Sequence, residues 1–341
     1  MDLLINKLAK DQVLSSYNFA RKADIVFAES LTRQQYEKLD LPNHRIVYED
    51  DFYITYKLSE FKLNQNDVIY CNNYFFYDLF ELLKDVNISY NLKLITGQTD
   101  KKINQDDFKL KPRCISKWYA PNINYSDDSL KPLPIGLANS HPKNLNNEHF
   151  KNLKINNFKI GKAYLNFEIN TNYYKRKKIF KNLSQMEWVQ SETGKLDLSE
   201  YAKKLNSYEF IICPPGNGLD THRVWESIYS GSTPVVEKNL FYEKLEELPI
   251  VTVKKLQNIN FLEIQNKAQK INKNNYNFLR IDWWMRNIKN PNSKISNSEI
   301  LITEHQSEYD LNHLRFKKII EKERRIKKYK TFNRKVLSKL I

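Results

Sequence analysis

The chain alternates short apolar runs with longer segments whose apolar residues recur at helical spacing. In the first half, runs of four to six residues predict strands at residues 23–28, 45–48, 53–56, 67–71 and 92–96. Helices are predicted at residues 1–22, 32–39 and 74–84. Strands that alternate with helices along a chain are typical of an α/β protein.

The second half repeats this alternation after a stretch rich in Asn and Lys. Strands are predicted at residues 162–167, 210–213, 233–236 and 250–253, and helices at residues 201–205 and 261–278. The polar stretch at residues 141–159 indicates a connection between two domains. A chain of 341 residues also fits two domains of about 150 residues each. We therefore expect domains at residues 1–150 and 151–285, followed by a helical, basic segment at residues 286–341.

Residues 208–236 are the most informative stretch. An apolar run ends at Cys213, where Pro-Pro-Gly-Asn-Gly stops the strand with a tight loop. Asp220 or Thr221 is expected to cap a helix that ends near Gly231. Another apolar run follows at once. The stretch therefore predicts a strand, a loop, a helix and a second strand in succession.

The helix in this stretch has two different faces. At about 100° per residue, the apolar face carries Val224, Trp225, Ile228 and Tyr229, and the polar face carries His222, Arg223, Glu226 and Ser227. We expect the apolar face to pack on a sheet and the polar face to border a crevice. A loop that leads into a helix N-terminus favours an anion, and Arg223 can add a bidentate phosphate contact. Glu226 can accept hydrogen bonds from sugar hydroxyls, so the predicted ligand combines phosphate and ribose.

The run Cys-Pro-Pro-Gly-Asn-Gly-Leu-Asp-Thr-His-Arg-Val-Trp-Glu, followed by Gly-Ser-Thr-Pro-Val-Val, resembles the donor-binding signature of exostosin-like glycosyltransferases, glycosyltransferase family 47. The resemblance implies a GT-B fold, in which two Rossmann-like domains face each other across a cleft. It also implies that Arg223 and Glu226 contact the diphosphate and ribose of a nucleotide sugar. Arg176 is a second phosphate candidate, with a solvated helix position as the alternative. The expected donor-binding residues are Asn166, Arg176, Pro215, Gly216, Asn217, Gly218, Asp220, Thr221, His222, Arg223 and Glu226.

The first domain offers one candidate base and two candidate aromatic contacts. Residues 96–100, Thr-Gly-Gln-Thr-Asp, follow a predicted strand and are similar to a turn in related transferases. Asp100 is therefore expected to take the proton of the acceptor hydroxyl, with capping of a turn as the alternative. Trp118 and Tyr119 lie in another segment that resembles the family. They suit stacking on a sugar ring, but single aromatics more often belong to the core.

Charge is concentrated at the end of the chain. Residues 314–341 hold twelve Lys or Arg and two Glu, which accounts for ten of the fifteen net positive charges. This tail suits a helix that crosses to the first domain, an anionic membrane surface or a solvated face. The three cysteines lie far apart, which argues against a disulfide scaffold or a zinc site. No metal and no cofactor is expected, because the sequence contains no Asp-x-Asp.

These observations predict an enzyme, a glycosyltransferase that moves a sugar from a nucleotide-diphosphate sugar to a glycan or lipid-linked saccharide acceptor. The resemblance implies inversion without a metal, with Arg223 stabilising the leaving diphosphate, in the assembly of a surface polysaccharide. Two alternatives are a nucleotide-sugar epimerase on the same fold and, less favoured, a basic nucleic-acid-binding protein. No nucleic-acid partner is expected. No run of eighteen apolar residues occurs, so we expect a cytoplasmic protein, peripheral at the inner membrane face.

Overall fold

Two separate sheets carry the fold, and most of their strands are parallel. The computed structural model describes residues 4–138, 144–150, 153–154, 156, 158–194, 196–245, 248–271, 276–289 and 299–304, with residues 318, 321 and 325. The strands are β1 Ile25–Thr32, β2 His44–Glu49, β3 Tyr53–Leu58, β4 Glu60–Leu63, β5 Val68–Asn72, β6 Leu92–Gly97, β7 Ile115–Ala120, β8 Leu130–Pro132, β9 Ile160–Leu165, β10 Val189–Ser191, β11 Tyr208–Ile212, β12 Thr233–Glu237, β13 Val251–Val253 and β14 Ile300–Thr303.

The helices lie between these strands in the order expected of α/β units. They are α1 Ser16–Lys22, α2 Arg33–Tyr36, α3 Phe76–Leu83, α4 Gln105–Lys109, α5 Tyr173–Leu183, α6 Leu198–Ser207, α7 His222–Tyr229, α8 Leu240–Glu243, α9 Phe261–Ala268 and α10 Ile281–Lys289. Side-chain caps start several of them: Ser15 accepts from the Asn18 N–H before α1, and Asp197 accepts from two N–H groups before α6. Such caps satisfy donors that have no partner within the helix.

The first sheet has the order β2-β3-β1-β5-β6-β7-β8. Strands β1, β5, β6, β7 and β8 are parallel to one another, whereas β3 pairs antiparallel with both β1 and β2. Every residue of β5 and β6 is buried, as expected for parallel strands covered on both faces. Trp118 of β7 is part of this core: it packs edge-on against Phe76 and Phe80, and its indole N–H donates to Thr96 Oγ1 at 2.9 Å. Of the two interpretations of Trp118, the core position is the one found.

The second sheet, β10-β9-β11-β12-β13, is parallel throughout. Its core is mainly aliphatic, with Leu165, Ile212 and Val235 fully buried. The two sheets confirm the predicted α/β class and agree with two Rossmann-like domains of the GT-B fold. The position of the domain boundary stays a prediction, because residues 139–143 and 151–152, between β8 and β9, lie outside the described part.

The end of the chain returns to the first domain. Helix α10 packs on α1, where Lys289 pairs with Asp24 at 2.5 Å. Strand β14 then pairs antiparallel with β4. Directly after it, Glu304 forms a buried ion pair of 2.5 Å with Lys57 of β3.

Residues 281–289 and 299–304 pack on the first domain, while the predicted domain limits at residues 285 and 286 stay a prediction. Two expectations for the secondary structure at this end of the chain are corrected. Residues 300–303 form a strand within a segment expected to be helical. Helix α9 ends at Ala268 rather than near Phe278, since the following Asn-Lys-Asn-Asn is poor in helix formers. Most of the basic tail lies outside the described residues, and no described helix has the length and apolarity needed to cross a membrane.

Replacing Lys57 tests how strongly the returning chain end holds the first domain. Lys57→Met leaves Glu304 buried without its cation and also removes the pair that Lys57 forms with Asp78 at 3.1 Å. Removing one partner of a buried ion pair costs about 3–5 kcal/mol. We expect urea unfolding to show a loss of this size. Lys62→Met is the control, because Lys62 pairs with Glu299 in the same ribbon at the surface, and its urea midpoint should match that of the wild type. Equal urea midpoints for the two variants would contradict the conclusion that the buried ion pairing of Lys57 stabilises the first domain.

Candidate active site

The predicted strand, loop, helix and strand of residues 208–236 are all present. Strand β11 ends at Ile212, a loop leads to α7, and β12 lies beside β11 in the sheet. The N–H of Gly231, at a φ of 71°, donates to the Ile228 carbonyl, so the helix ends where the glycine was expected to end it. Thr221 takes the cap position of α7, but its hydroxyl makes no capping hydrogen bond.

Helix α7 is buried on more than its apolar face. Val224, Trp225, Ile228 and Tyr229 are buried as predicted. Glu226 and Ser227 of the polar face are buried too, with only 7% and 0% of their surface exposed. The expectation of an open polar face holds for the exposed His222 and in part for the half-buried Arg223, because α6 lies against the rest of that face.

Tyr201 of α6 supports both residues that were expected to bind the donor. The Arg223 guanidinium lies over the Tyr201 ring, 5.1 Å from its centroid. The Tyr201 hydroxyl donates to Glu226 Oε2 at 3.2 Å. Burial raises the pKa of Glu226, although Arg223, His222 and the Tyr201 hydroxyl act in the opposite direction.

Two polar atoms near the start of α7 are buried and have no hydrogen-bond partner among the described residues: Arg223 Nη1 and Thr221 Oγ1. Buried polar groups in native proteins are nearly always hydrogen-bonded, so an unsatisfied pair calls for an explanation. A cationic donor and a hydroxyl beside a helix N-terminus together suit a phosphate group.

Arg176 of α5 holds the loop from its other side. Its Nε and Nη2 donate to the carbonyls of Pro215 and Pro214, both at 3.0 Å, and its Nη1 donates to the Glu168 carbonyl at 2.7 Å. Burial, with the charge of Arg223, lowers the pKa of Arg176 to about 10. Arg176 therefore holds the loop in place through hydrogen bonds to its carbonyls, a role that neither interpretation of the sequence predicted.

The two glycines of the loop make room for protein side chains. A Cβ on Gly216 would lie 3.2 Å from Arg176 Nη2, and one on Gly218 would lie 2.8 Å from Asn122 Oδ1. Asn122, which follows β7 in the first domain, accepts a hydrogen bond from the Leu219 N–H at 2.7 Å. This contact was not predicted as part of the site. The signal for it was a polar residue just past the carboxyl end of a parallel strand.

Asp220 joins the two domains. Its carboxylate accepts hydrogen bonds from the Ile135 N–H of the first domain at 3.0 Å, the Trp225 indole at 2.8 Å and the Tyr242 hydroxyl at 3.0 Å. It also accepts from the Thr221 N–H at 2.9 Å. Burial raises its pKa to about 6, although these hydrogen bonds offset part of the effect. The N–H groups of Leu219 and Thr221 are thus occupied, although the loop N–H groups were expected to face the donor.

A cleft of about 380 Å³ lies on the first-domain side of the loop. Asp100 and His222, which were predicted on different domains, both line it. Asp100 Oδ2 accepts from the Asn217 side-chain amide at 3.2 Å, and His222 Nδ1 lies 2.7 Å from the Gly136 carbonyl. Asn166 lies apart from the cleft lining, and its amide donates to the carbonyls of Glu192 and Gly194 at 3.3 Å.

A comparison with known protein families finds a match for the part of the chain that forms most of the second sheet. Residues 165–279 match the RXYLT1 C-terminal domain. The match covers about a third of the chain, from the end of β9 to the residues before α10, and includes Arg176, the loop and α7. It supports a glycosyltransferase domain related to the exostosin family for this stretch. No curated protein matches the chain.

Substitution of Gly218 tests the contact between the loop and the first domain. Gly218→Ala places a methyl group 2.8 Å from Asn122 Oδ1, and such overpacking costs about 1–3 kcal/mol. We expect a lower melting temperature, partly restored when Asn122→Ala is added. Gly161→Ala is the control, because the nearest atom to its Cβ lies 3.9 Å away. A fully additive double variant would show that the two residues do not interact.

The Asp220 carboxyl predicts how stability changes with pH. Its pKa of about 6 in the folded protein lies above the ordinary value of 3.8 for an aspartate, so the folded state keeps a proton that the unfolded state loses. The resulting stability is present below about pH 4 and is lost by about pH 6, with an upper limit of about 3 kcal/mol. Urea titrations should show a smaller decline over this range in Asp220→Asn than in the wild type. Asp106→Asn is the control, because Asp106 is exposed, and its stability should fall with pH as that of the wild type does. If the stability of Asp220→Asn falls as much as that of the wild type, the raised pKa does not belong to Asp220.

Proposed function

We propose that the chain is a glycosyltransferase that takes its sugar from a nucleotide-diphosphate sugar and passes it to a glycan or lipid-linked saccharide acceptor. The observation that carries the proposal is the half-buried Arg223 side chain, whose Nη1 is buried and has no hydrogen-bond partner among the described residues. It lies one helical turn from Glu226, within the residues that match the glycosyltransferase domain family.

Each of these residues supplies one part of donor binding. The leaving diphosphate gains negative charge as its bond to the sugar breaks. Arg223 is placed to stabilise that charge without reorganising, since the Tyr201 ring already holds its guanidinium. Glu226 retains the carboxylate acceptors that suit ribose hydroxyls, and the Tyr201 hydroxyl orients one of its oxygens.

The acceptor belongs in the cleft on the first-domain side of α7. A hydroxyl held there approaches the anomeric carbon from the side opposite the diphosphate, which would give direct displacement with inversion. We propose that Arg223 supplies the positive charge that a metal ion supplies in other transferases. We also propose that the protein acts in the cytoplasm on surface polysaccharide, and that the basic residues 314–341 meet an anionic membrane face.

Nucleotide binding tests this function. Thermal shift and calorimetric titration with UDP, GDP, CDP, ADP and TDP, each with and without EDTA, should show one preferred nucleotide whose binding survives EDTA. Arg223→Met should weaken that binding at least tenfold, because a charge-assisted contact contributes about 1.5–3 kcal/mol. Glu226→Gln should weaken it less, since one acceptor oxygen remains.

Glu200→Gln is the matched control, because Glu200 is an exposed carboxylate on α6, and it should bind nucleotide as the wild type does. If the wild-type protein binds none of the five nucleotides, or if Arg223→Met binds as tightly as wild type, the proposed donor site is wrong.

A further inference from the structure

His222 is the side chain that connects the donor-binding helix with the first-domain cleft. It is the first residue of α7, is exposed, and precedes Arg223 in the chain. Its ring borders the same cleft as Asp100. It was predicted as a donor-binding residue, but its surroundings differ from those of Arg223 and Glu226, which α6 covers.

The hydrogen bond of His222 fixes which ring nitrogen carries the proton. Nδ1 lies 2.7 Å from the carbonyl oxygen of Gly136. A carbonyl oxygen can only accept, so Nδ1 must be the donor and carry hydrogen. In the neutral ring Nε2 then has a lone pair and acts as an acceptor. This is the form of imidazole that can take up a proton.

The backbone holds that carbonyl firmly in place. Gly136 has a φ of 63°, and a Cβ there would lie 2.2 Å from the Leu14 carbonyl oxygen, so only glycine fits. The Leu137 N–H donates to the same Leu14 carbonyl at 2.8 Å. The partner of Nδ1 is thus a fixed part of the first domain, and it orients a ring that the second domain supplies.

The lone pair of His222 Nε2 is free among the described residues, whereas Oδ2 of Asp100 already accepts a hydrogen bond. Within the described part of the chain, no hydrogen bond involves His222 Nε2. Asp100 Oδ2 accepts from the Asn217 amide at 3.2 Å, an arrangement that suits a contact between the loop and the first domain.

We propose that His222, rather than Asp100, is the catalytic base, an inference that rests on the proposed function. The acceptor hydroxyl oxygen forms a bond to the anomeric carbon of the donor sugar. The bond from that carbon to the diphosphate oxygen breaks, and its electron pair leaves with the nucleoside diphosphate. The hydroxyl proton passes to Nε2 of His222, which becomes an imidazolium and later releases the proton to water. Asp100 then serves to position the loop through Asn217.

The first measurement is of the ring itself. A nitrogen-15 spectrum of histidine-labelled full-length protein at neutral pH, assigned by the signal lost in His222→Gln, should show Nδ1 protonated and Nε2 unprotonated. The opposite tautomer would overturn the proposal, whatever the turnover measurements show.

The second measurement separates chemistry from donor binding. The probes are nucleotide sugars of the preferred nucleotide, with water and a panel of monosaccharides as acceptors, and the readout is release of the nucleoside diphosphate. His222→Ala should lower kcat by about 10²- to 10⁴-fold, the range for loss of a general base, while binding the nucleoside diphosphate as the wild type does. Added imidazole should restore part of the lost rate in His222→Ala and none in Arg223→Met.

Asp100→Asn is the matched comparison, because it removes the competing carboxylate and keeps an acceptor for Asn217. Asp100→Asn should lower kcat far less than His222→Ala does. If His222→Ala keeps the wild-type kcat, or if Asp100→Asn lowers kcat more than His222→Ala does, the base is Asp100. If the wild-type protein binds no nucleotide, the result is different. It contradicts the proposed donor site, not the choice of His222 over Asp100 as the base.

Discussion

The geometry of the site depends on one buried carboxylate, that of Asp220. Removing a carboxylate from water costs several kcal/mol, and it is tolerated only where donors surround it. Here the donors come from Ile135 of the first domain, from Trp225 and Tyr242 of the second, and from the adjacent Thr221. The interaction is satisfied only when both domains and α7 are in place. Asp220 therefore links the position of α7 to the docking of the first domain.

The loop before α7 is held from both sides, which explains its composition. Arg176 binds two of its carbonyls from the second domain, and Asn122 binds the Leu219 N–H from the first. Gly216 and Gly218 stand where those side chains approach. A loop fixed in this way presents α7 in one orientation, and preorganised charge is what transition-state stabilisation requires. The glycines thus serve the site indirectly, by admitting the residues that hold the loop.

The returning end of the chain adds a second connection between the domains. Helix α10 follows the second sheet in sequence but packs on α1, and β14 extends the first domain beside β4. The buried pair of Lys57 and Glu304 fastens this end. Because the polypeptide crosses between domains both before β9 and after α9, the cleft lies between two bodies that are joined at two places in the chain.

The sequence by itself determined the local elements and the motif. Apolar runs marked β1, β5, β6, β11 and β12, because strands buried on both faces need continuous apolar residues. Pro-Pro-Gly-Asn-Gly and Gly231 marked the two ends of the loop and helix through backbone chemistry that depends on nearest neighbours alone. The same stretch predicts Arg223 and Glu226 as donor contacts, since their spacing places them on one side of a helix, and that role stays a prediction.

Only the tertiary structure decided what each polar residue contacts. The sequence could not distinguish Arg176 from a phosphate ligand. Its hydrogen bonds to the loop depend on carbonyls about forty positions away. Tyr201 and Gly136 carry no local signal for the residues that they orient, and the place of Asn122 after a strand does not reveal its contact with Leu219. The final strand, β14, is apolar on a short segment and gains its conformation from β4, more than two hundred residues earlier. Hydrogen bonds between distant segments depend on how the domains dock, and no pattern of neighbouring residues records that docking.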